Sequence, residues 1–123
     1  MVQAEKARDL IPDIVKIIVH SARPERIILF GSRAKGTARR ESDFDFLVIV
    51  SEIENEREIS RKVYRALLEH RIEAAVDVVV VDERKLARHK DNTYFIYSDA
   101  LREGKVCYEK ATTARYMASK SRE

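Results

Sequence analysis

The chain has 123 residues, a length that favours one compact domain, because a self-sufficient core usually needs about 100 residues. Its composition, 45% hydrophobic and 37% charged with three glycines and two prolines, excludes disordered, fibrous and low-complexity classes. The net charge of +3 comes from 24 basic and 21 acidic residues, so the sequence carries no strong electrostatic bias toward nucleic acid or anionic lipid. No apolar run reaches the roughly 18 residues of a membrane span, and Met1 to Leu10 lacks the apolar core of a secretory signal. The expected location is the cytoplasm. Cys107 is the single cysteine, so no internal disulfide or thiolate zinc cluster can form, and it reads as a small core residue.

In chain order, Ile11, Ile14, Ile17 and Ile18 form the stripe of an amphipathic helix, with Pro12 in its first turn and Asp9 as its cap. Arg26 to Phe30 is a short apolar strand that stops at Gly31. Asp43 to Val50, DFDFLVIV, reads as the strongest strand, open to solvent where it begins and buried beyond. Glu56 to His70 carries Ile59, Val63, Ala66 and Leu67 on one stripe and predicts a helix covering one sheet face. Val76 to Val81, β-branched except for Asp77, predicts a central strand. A further helix is expected from Asn92, capped by Asp91, to Glu103, ending at Gly104, with a short strand over Lys105 to Tyr108. These elements give one domain over residues 1–108 and a polar tail over 109–123, open to ordering on a partner. The fold class is α+β, an α/β mixed sheet of three or four strands with helices packed on it.

Two of the three glycines flank Ser32, Arg33, Ala34 and Lys35 in Gly31–Gly36, directly after a strand. A strand that ends in Gly-Ser and enters a short helix exposes backbone N–H groups and a hydroxyl suited to phosphate oxygens, and Arg33 and Lys35 would add positive charge. For an isolated Gly-Ser, a tight turn and a helix cap would be explanation enough. Thr37 follows Gly36 where a P-loop would need lysine, and Arg33 stands where a dinucleotide fingerprint would need glycine. Neither motif is present.

Asp43 and Asp45 lie two apart at the mouth of the strongest strand, so their side chains share a face, roughly 7 Å apart at the backbone, and can converge on a hard cation such as Mg²⁺. Two acids at a frayed strand start is the alternative for the pair taken alone. Asp77 inside an apolar strand would be costly without a metal, hydrogen bonds or a basic partner. Asp82 and Glu83 read as loop and cap residues. Positions 77 and 82 differ by an odd number, so a regular strand cannot turn both to one face. The apolar setting makes Asp77 the acid that needs a compensating partner, with Asp82 solvated. His20, His70 and His89 are scattered without metal-ligand spacing. Tyr94, Phe95, Ile96 and Tyr97 divide between the core and a partner-facing surface.

Gly31-Ser32, ten residues, Asp43-Phe44-Asp45 and a later Asp77 resemble the nucleotidyltransferase superfamily that includes DNA polymerase beta and the kanamycin-type transferases. The stretch from Ile27 to Val50 is similar to its minimal, stand-alone branch, the MNT antitoxins paired with HEPN-domain toxins. The resemblance implies a polymerase-beta-like fold and a protein adenylyltransferase activity that moves AMP from ATP to a hydroxyl, a tyrosine's, of the HEPN toxin. It implies that Gly31 and Ser32 hold the triphosphate, with Arg33 and Lys35 as further phosphate contacts. It also implies that Asp43, Asp45 and Asp77 bind two Mg²⁺ ions about 4 Å apart, Asp77 also helping to deprotonate the acceptor. A non-catalytic antitoxin acting by complex formation alone is the alternative within the same fold. An antibiotic-modifying transferase is disfavoured by the short chain, and a nucleic-acid module by the balanced charge.

Overall fold

The computed structural model describes residues 9–51, 55–89, 92 and 97–110. Helix α1 spans Ile11–Ala22 and buries Ile14, Ile17, Ile18 and Ala22 on one stripe. Pro12 sits in its first turn, and the Asp9 carboxylate accepts from the Ile11 N–H at 2.9 Å. Strand β1 follows over Arg26–Phe30, helix α2 over Ser32–Lys35 and strand β2 over Phe44–Val50. Helix α3, Glu56–Glu69, begins at Asn55, whose side chain accepts from the N–H groups of Arg57 at 3.1 Å and Glu58 at 3.3 Å. Strand β3 spans Val76–Asp82, helix α4 Glu83–Arg88, helix α5 Ser98–Glu103 and strand β4 Lys105–Glu109.

The four described strands form one sheet in the order β3-β2-β1-β4. Strand β1 runs antiparallel to β2 and β4, and β2 runs parallel to β3, with α3 as the crossover between them. The direction of each strand is therefore mixed, as the sequence implies. On one face, α1 and α3 bury Ile27, Leu29, Phe46, Val48, Val50, Val78 and Val80 against Ile14, Ile18, Val63 and Leu67. On the other face, Leu86 of α4 and Ala100 of α5 close over Ile28, Leu47, Ile49 and Val81. Strict alternation along β2 and β3 assigns each residue to one cluster or the other.

The fold departs from several of these expectations. Among the described strands, β3 lies at the edge of the sheet, not at its centre; it reads as central because both of its faces carry apolar neighbours, and composition reports face burial rather than the number of ladder partners. The last helix begins at Ser98 in the described residues, and the expected Asp91 cap and residues 94–96 lie outside them. Cys107 is half-buried on β4 and packs against the larger cluster, where burial pushes its thiol pKa up. Residues 111–123 of the expected tail also lie outside the described residues, and Glu109 belongs to β4.

Gly104 joins α5 to β4 where the chain presses on β1. A Cβ there would collide with the Ala100 carbonyl oxygen and Ile28 Cγ2, and would lie 2.9 Å from the Leu29 carbonyl oxygen. Two of those neighbours are backbone and cannot rotate away. Gly104→Ala should therefore destabilise the domain by about 2 kcal/mol, the usual size of an overpacking strain, read as a lower denaturant midpoint at unchanged slope. A midpoint equal to the parent's would mean that the turn yields freely.

Candidate active site

Sheet register brings the chemical residues together. Phe30, the last residue of β1, pairs with Asp45, and Asp45 pairs with Asp77 across the parallel ladder. Gly31, the two acids and the start of α2 thus meet at one end of the sheet. Asp45 and Asp77 share the face of Leu47, Ile49, Val79 and Val81, because each lies an even number of residues from them. Asp43 stands exposed immediately before β2.

Gly31 has φ 75° and ψ −158°, a conformation that residues with a side chain rarely adopt, and a Cβ built on it would run into the Asp45 carboxylate. Its glycine identity is therefore required twice, by backbone conformation and by the acid beside it. The chain then turns into α2, with the N–H groups of Ala34 and Lys35 donating to the Gly31 carbonyl oxygen at 3.1 and 3.2 Å. The half-buried Ser32 hydroxyl makes no hydrogen bond among the described residues. A cavity of about 140 Å³ opens beside the turn, between Gly31, Ala34 and Lys35 on one side and Asp99 and Glu103 on the other.

Three negative charges meet at Asp45. Its carboxyl pKa is raised above the ordinary value, first by partial burial and then by the charges of Asp77 and Asp43. No described basic side chain pairs with Asp43 or Asp45. Among the described residues, no three His, Cys, Asp or Glu side chains lie close enough together to hold one ion as they stand. The donor chemistry fits a hard divalent cation nonetheless: all three groups supply carboxylate oxygen, and their mutual repulsion at Asp45 is the penalty that a cation would remove.

Arg33 and Lys35 have different settings. The Arg33 guanidinium donates from Nε and Nη2 to the Ser42 carbonyl oxygen at 3.3 and 2.8 Å, and from Nη2 to the carbonyls of Arg39 and Arg40 at 3.4 and 3.2 Å. It also lies 3.9 Å over the Phe44 ring. These contacts make Arg33 a clamp on the loop that delivers Asp43. Lys35 is exposed, its Nζ 4.0 Å from Glu103 Oε1.

The sequence reading assigned opposite burial to the acids of β3. Asp77 is exposed, and Asp82 is buried at 8% exposure. The reason is position along an edge strand: Asp77 lies at its open beginning, whereas Asp82 caps α4, its Oδ1 accepting from Arg84 N–H at 2.8 Å and its Oδ2 pairing with the Arg84 guanidinium at 2.7 Å. The separation of the two onto opposite faces holds. Tyr64 escaped the sequence reading altogether; its hydroxyl lies 3.4 Å from Asp77 Oδ1, and no short-range motif announces a contact made from helix to strand edge.

A family model for the polymerase beta nucleotidyltransferase domain matches residues 13–113, most of the chain. The chain belongs to that nucleotidyltransferase family. Among solved structures, it is similar to a candidate nucleotidyltransferase from Sulfolobus solfataricus, at 26% identity and TM-score 0.56, over 83% of this chain and 79% of that one. It shares the fold of a toxin–antitoxin structure with AMP-PNP, at 22% identity and TM-score 0.51, over 88% and 81% of the two chains. It also shares the fold of a variant of the MntA-HpeT toxin–antitoxin pair, at 22% identity and TM-score 0.52, over 92% and 83%. No curated protein matches the sequence. The nucleotidyltransferase fold accounts for the mixed sheet with helices packed on it. Among the described residues, no helix is long and apolar enough to cross a membrane.

Two consequences can be measured. Arg33→Lys keeps the charge but loses the fork that grips three carbonyls, so amide exchange over residues 39–43 should quicken about as much as in Arg33→Ala. A lysine variant as protected as the parent would mean that charge alone sufficed. For Asp45, a raised native pKa means that the folded state holds the proton more tightly than the unfolded chain, so ionisation costs stability as pH rises through the unfolded and then the folded value. Asp45→Asn should therefore raise the melting temperature at pH 7 in EDTA, and the gain should vanish below about pH 4. An Asn variant less stable than the parent at pH 7 would contradict the crowding.

Proposed function

We propose that this nucleotidyltransferase moves AMP from ATP to a hydroxyl, a tyrosine's, of a HEPN-type toxin with Mg²⁺ as cofactor, and so acts as the antitoxin. The observation that carries this reading is the row of acids, Asp45 paired with Asp77 across β2 and β3, with Gly31 against the Asp45 carboxylate and Asp43 just before β2. The fold shared with two toxin–antitoxin structures supports the choice of partner. Residence in the cytoplasm follows from that pairing.

In this reading, the Gly31-Ser32 turn takes oxygens of the triphosphate through backbone N–H groups and the unengaged Ser32 hydroxyl. Lys35, at the end of α2, adds a mobile positive charge, while Arg33 gives Nε and Nη2 to the loop and keeps Nη1 for a phosphate oxygen. Asp43, Asp45 and Asp77 would hold two Mg²⁺ ions. Bound there, the ions would neutralise the phosphates and stabilise the entering and leaving oxygens of an in-line displacement. Asp77, exposed at the strand edge, would accept the proton of the incoming hydroxyl. The new bond joins the acceptor oxygen to the α-phosphorus, the α–β anhydride bond breaks, and pyrophosphate leaves. Exposure of Asp77 suits an acceptor carried on a macromolecule, since the hydroxyl need not enter a closed pocket.

With ATP labelled in its α-phosphate, Mg²⁺ and a HEPN-type toxin, the chain should label that toxin. EDTA, or Asp43→Ala with Asp45→Ala, should abolish labelling. Asp77→Asn should slow transfer by about a hundredfold or more, whereas Asp82→Asn, which keeps a capping oxygen far from the row, should stay within about twofold. Labelling undiminished in EDTA would overturn the metal-dependent reading. A partner neutralised as well by the doubly substituted chain as by the parent would favour antitoxicity through complex formation alone.

A further inference from the structure

Tyr64 lies on α3, which covers the face of the sheet opposite to Asp77. Its hydroxyl nevertheless reaches the outer edge of β3. There it accepts from the Val78 N–H at 2.8 Å, and its own proton has two acceptors within reach, Asp77 Oδ1 and the Val78 carbonyl oxygen, each at 3.4 Å. Strand β3 pairs only with β2 among the described strands, so the amide and carbonyl of Val78 point away from the ladder and would otherwise face solvent. One phenol oxygen thus serves the edge backbone and the neighbouring acid together.

The Asp77 carboxylate has no other partner among the described residues. An exposed aspartate on an edge strand normally samples several rotamers, and each costs order when a geometry is demanded of it. Tyr64 is itself 40% exposed, but its hydroxyl is tied to backbone, so it supplies a fixed point where a surface tyrosine would ordinarily swing. A hydrogen bond to Oδ1 restricts the carboxylate and leaves Oδ2 without a partner among the described residues. Partners of this kind orient carboxylates that serve as ligands.

We infer that Tyr64 is a positioning residue, whose hydroxyl, anchored on the Val78 N–H, fixes the Asp77 carboxylate for its part in metal binding and acceptor activation. The inference rests on the proposed nucleotidyl transfer and adds to it a residue outside the Gly-Ser and Asp-x-Asp motifs. Tyr64→Phe keeps the ring against the strand and removes only the hydroxyl; because the site is partly exposed, water can satisfy the Val78 amide and the fold should survive.

The test compares Tyr64→Phe, Asp77→Asn and the double variant, each checked by thermal unfolding. Mn²⁺ binding is titrated by its free electron-spin signal in the presence of AMP-PNP, and transfer to the partner is measured with labelled ATP. Tyr64→Phe should weaken Mn²⁺ binding and lower kcat by about tenfold, with the KM for ATP near the parent's. In the Asp77→Asn background, the same substitution should change Mn²⁺ binding little, because the residue through which it acts is gone. Equal losses in both backgrounds would overturn the inference and reduce Tyr64 to a structural role. Parent-like Mn²⁺ binding and kcat in Tyr64→Phe, with transfer lost in Asp77→Asn, would overturn the inference alone. Full transfer by Asp77→Asn would overturn the assignment of the third acid and the inference built on it. Should Tyr64→Phe unfold at the assay temperature, the Mn²⁺ cycle is read at a lower temperature at which all three variants are folded, with the same outcomes.

Discussion

The structure turns on like charges held close. Asp43, Asp45 and Asp77 are brought to one end of a sheet, and their repulsion is felt at Asp45, where burial alone already disfavours the ionised form. Nothing local would gather them; the apolar ladders do. Each strand of the trio carries a run of residues buried on both faces, and the register that seats Leu47 against Val79 and Phe46 against Val78 also seats Asp45 against Asp77. A slip of one residue would turn the apolar sets out of their clusters, so the core fixes the acids at the expense of their mutual repulsion. Burial of side chains such as Leu47 and Ile49, each worth roughly 2 kcal/mol, outweighs the repulsion of carboxylates that remain largely open to water.

Much of this arrangement is written in short-range pattern. Strand β1 is legible because it follows Pro24, carries the apolar run Ile27 to Phe30 and stops at Gly31, and α3 because its apolar stripe is set among charges. The Gly-Ser turn and the Asp-x-Asp pair are legible for another reason: both break local preference, a glycine that ends a strand and two acids that begin one. Such breaks stand out against an otherwise regular sequence, and they fall where function is expected to override packing.

The acids of β3 show where pattern fails. Residues 76–82 are nearly uniform, so alternation gives the relative faces of Asp77 and Asp82 but not which end of the strand lies open. Burial is a property of the neighbours: Asp77 lies at the edge strand's beginning, while Asp82 is enclosed by the helix it caps and by Glu56, whose Oε2 accepts from the Asp82 N–H at 2.8 Å. The third acid was selected for being buried, and it occupies the row while being exposed. Its agreement with the row therefore comes from parity, not from desolvation.

Long side chains that act across elements are the least legible class, and here two of them give the site its rigidity. Arg33 reads in sequence as a phosphate ligand because it follows Gly-Ser, and its Nε and Nη2 also grip three carbonyls of the loop before Asp43, with the guanidinium over the Phe44 ring. Tyr64 carries no signal in the sequence, yet its hydroxyl belongs to the edge of β3. Each secures one flank of the acid row, Arg33 at the entry to β2 and Tyr64 at the beginning of β3. Asp45, between them, needs no such tether, because its strand is paired on both sides and Gly31 leaves room for its carboxylate. The central acid is thus placed by the sheet, and the two outer acids depend on side chains from elsewhere. That division makes the outer positions the ones at which geometry can be tuned without disturbing the core.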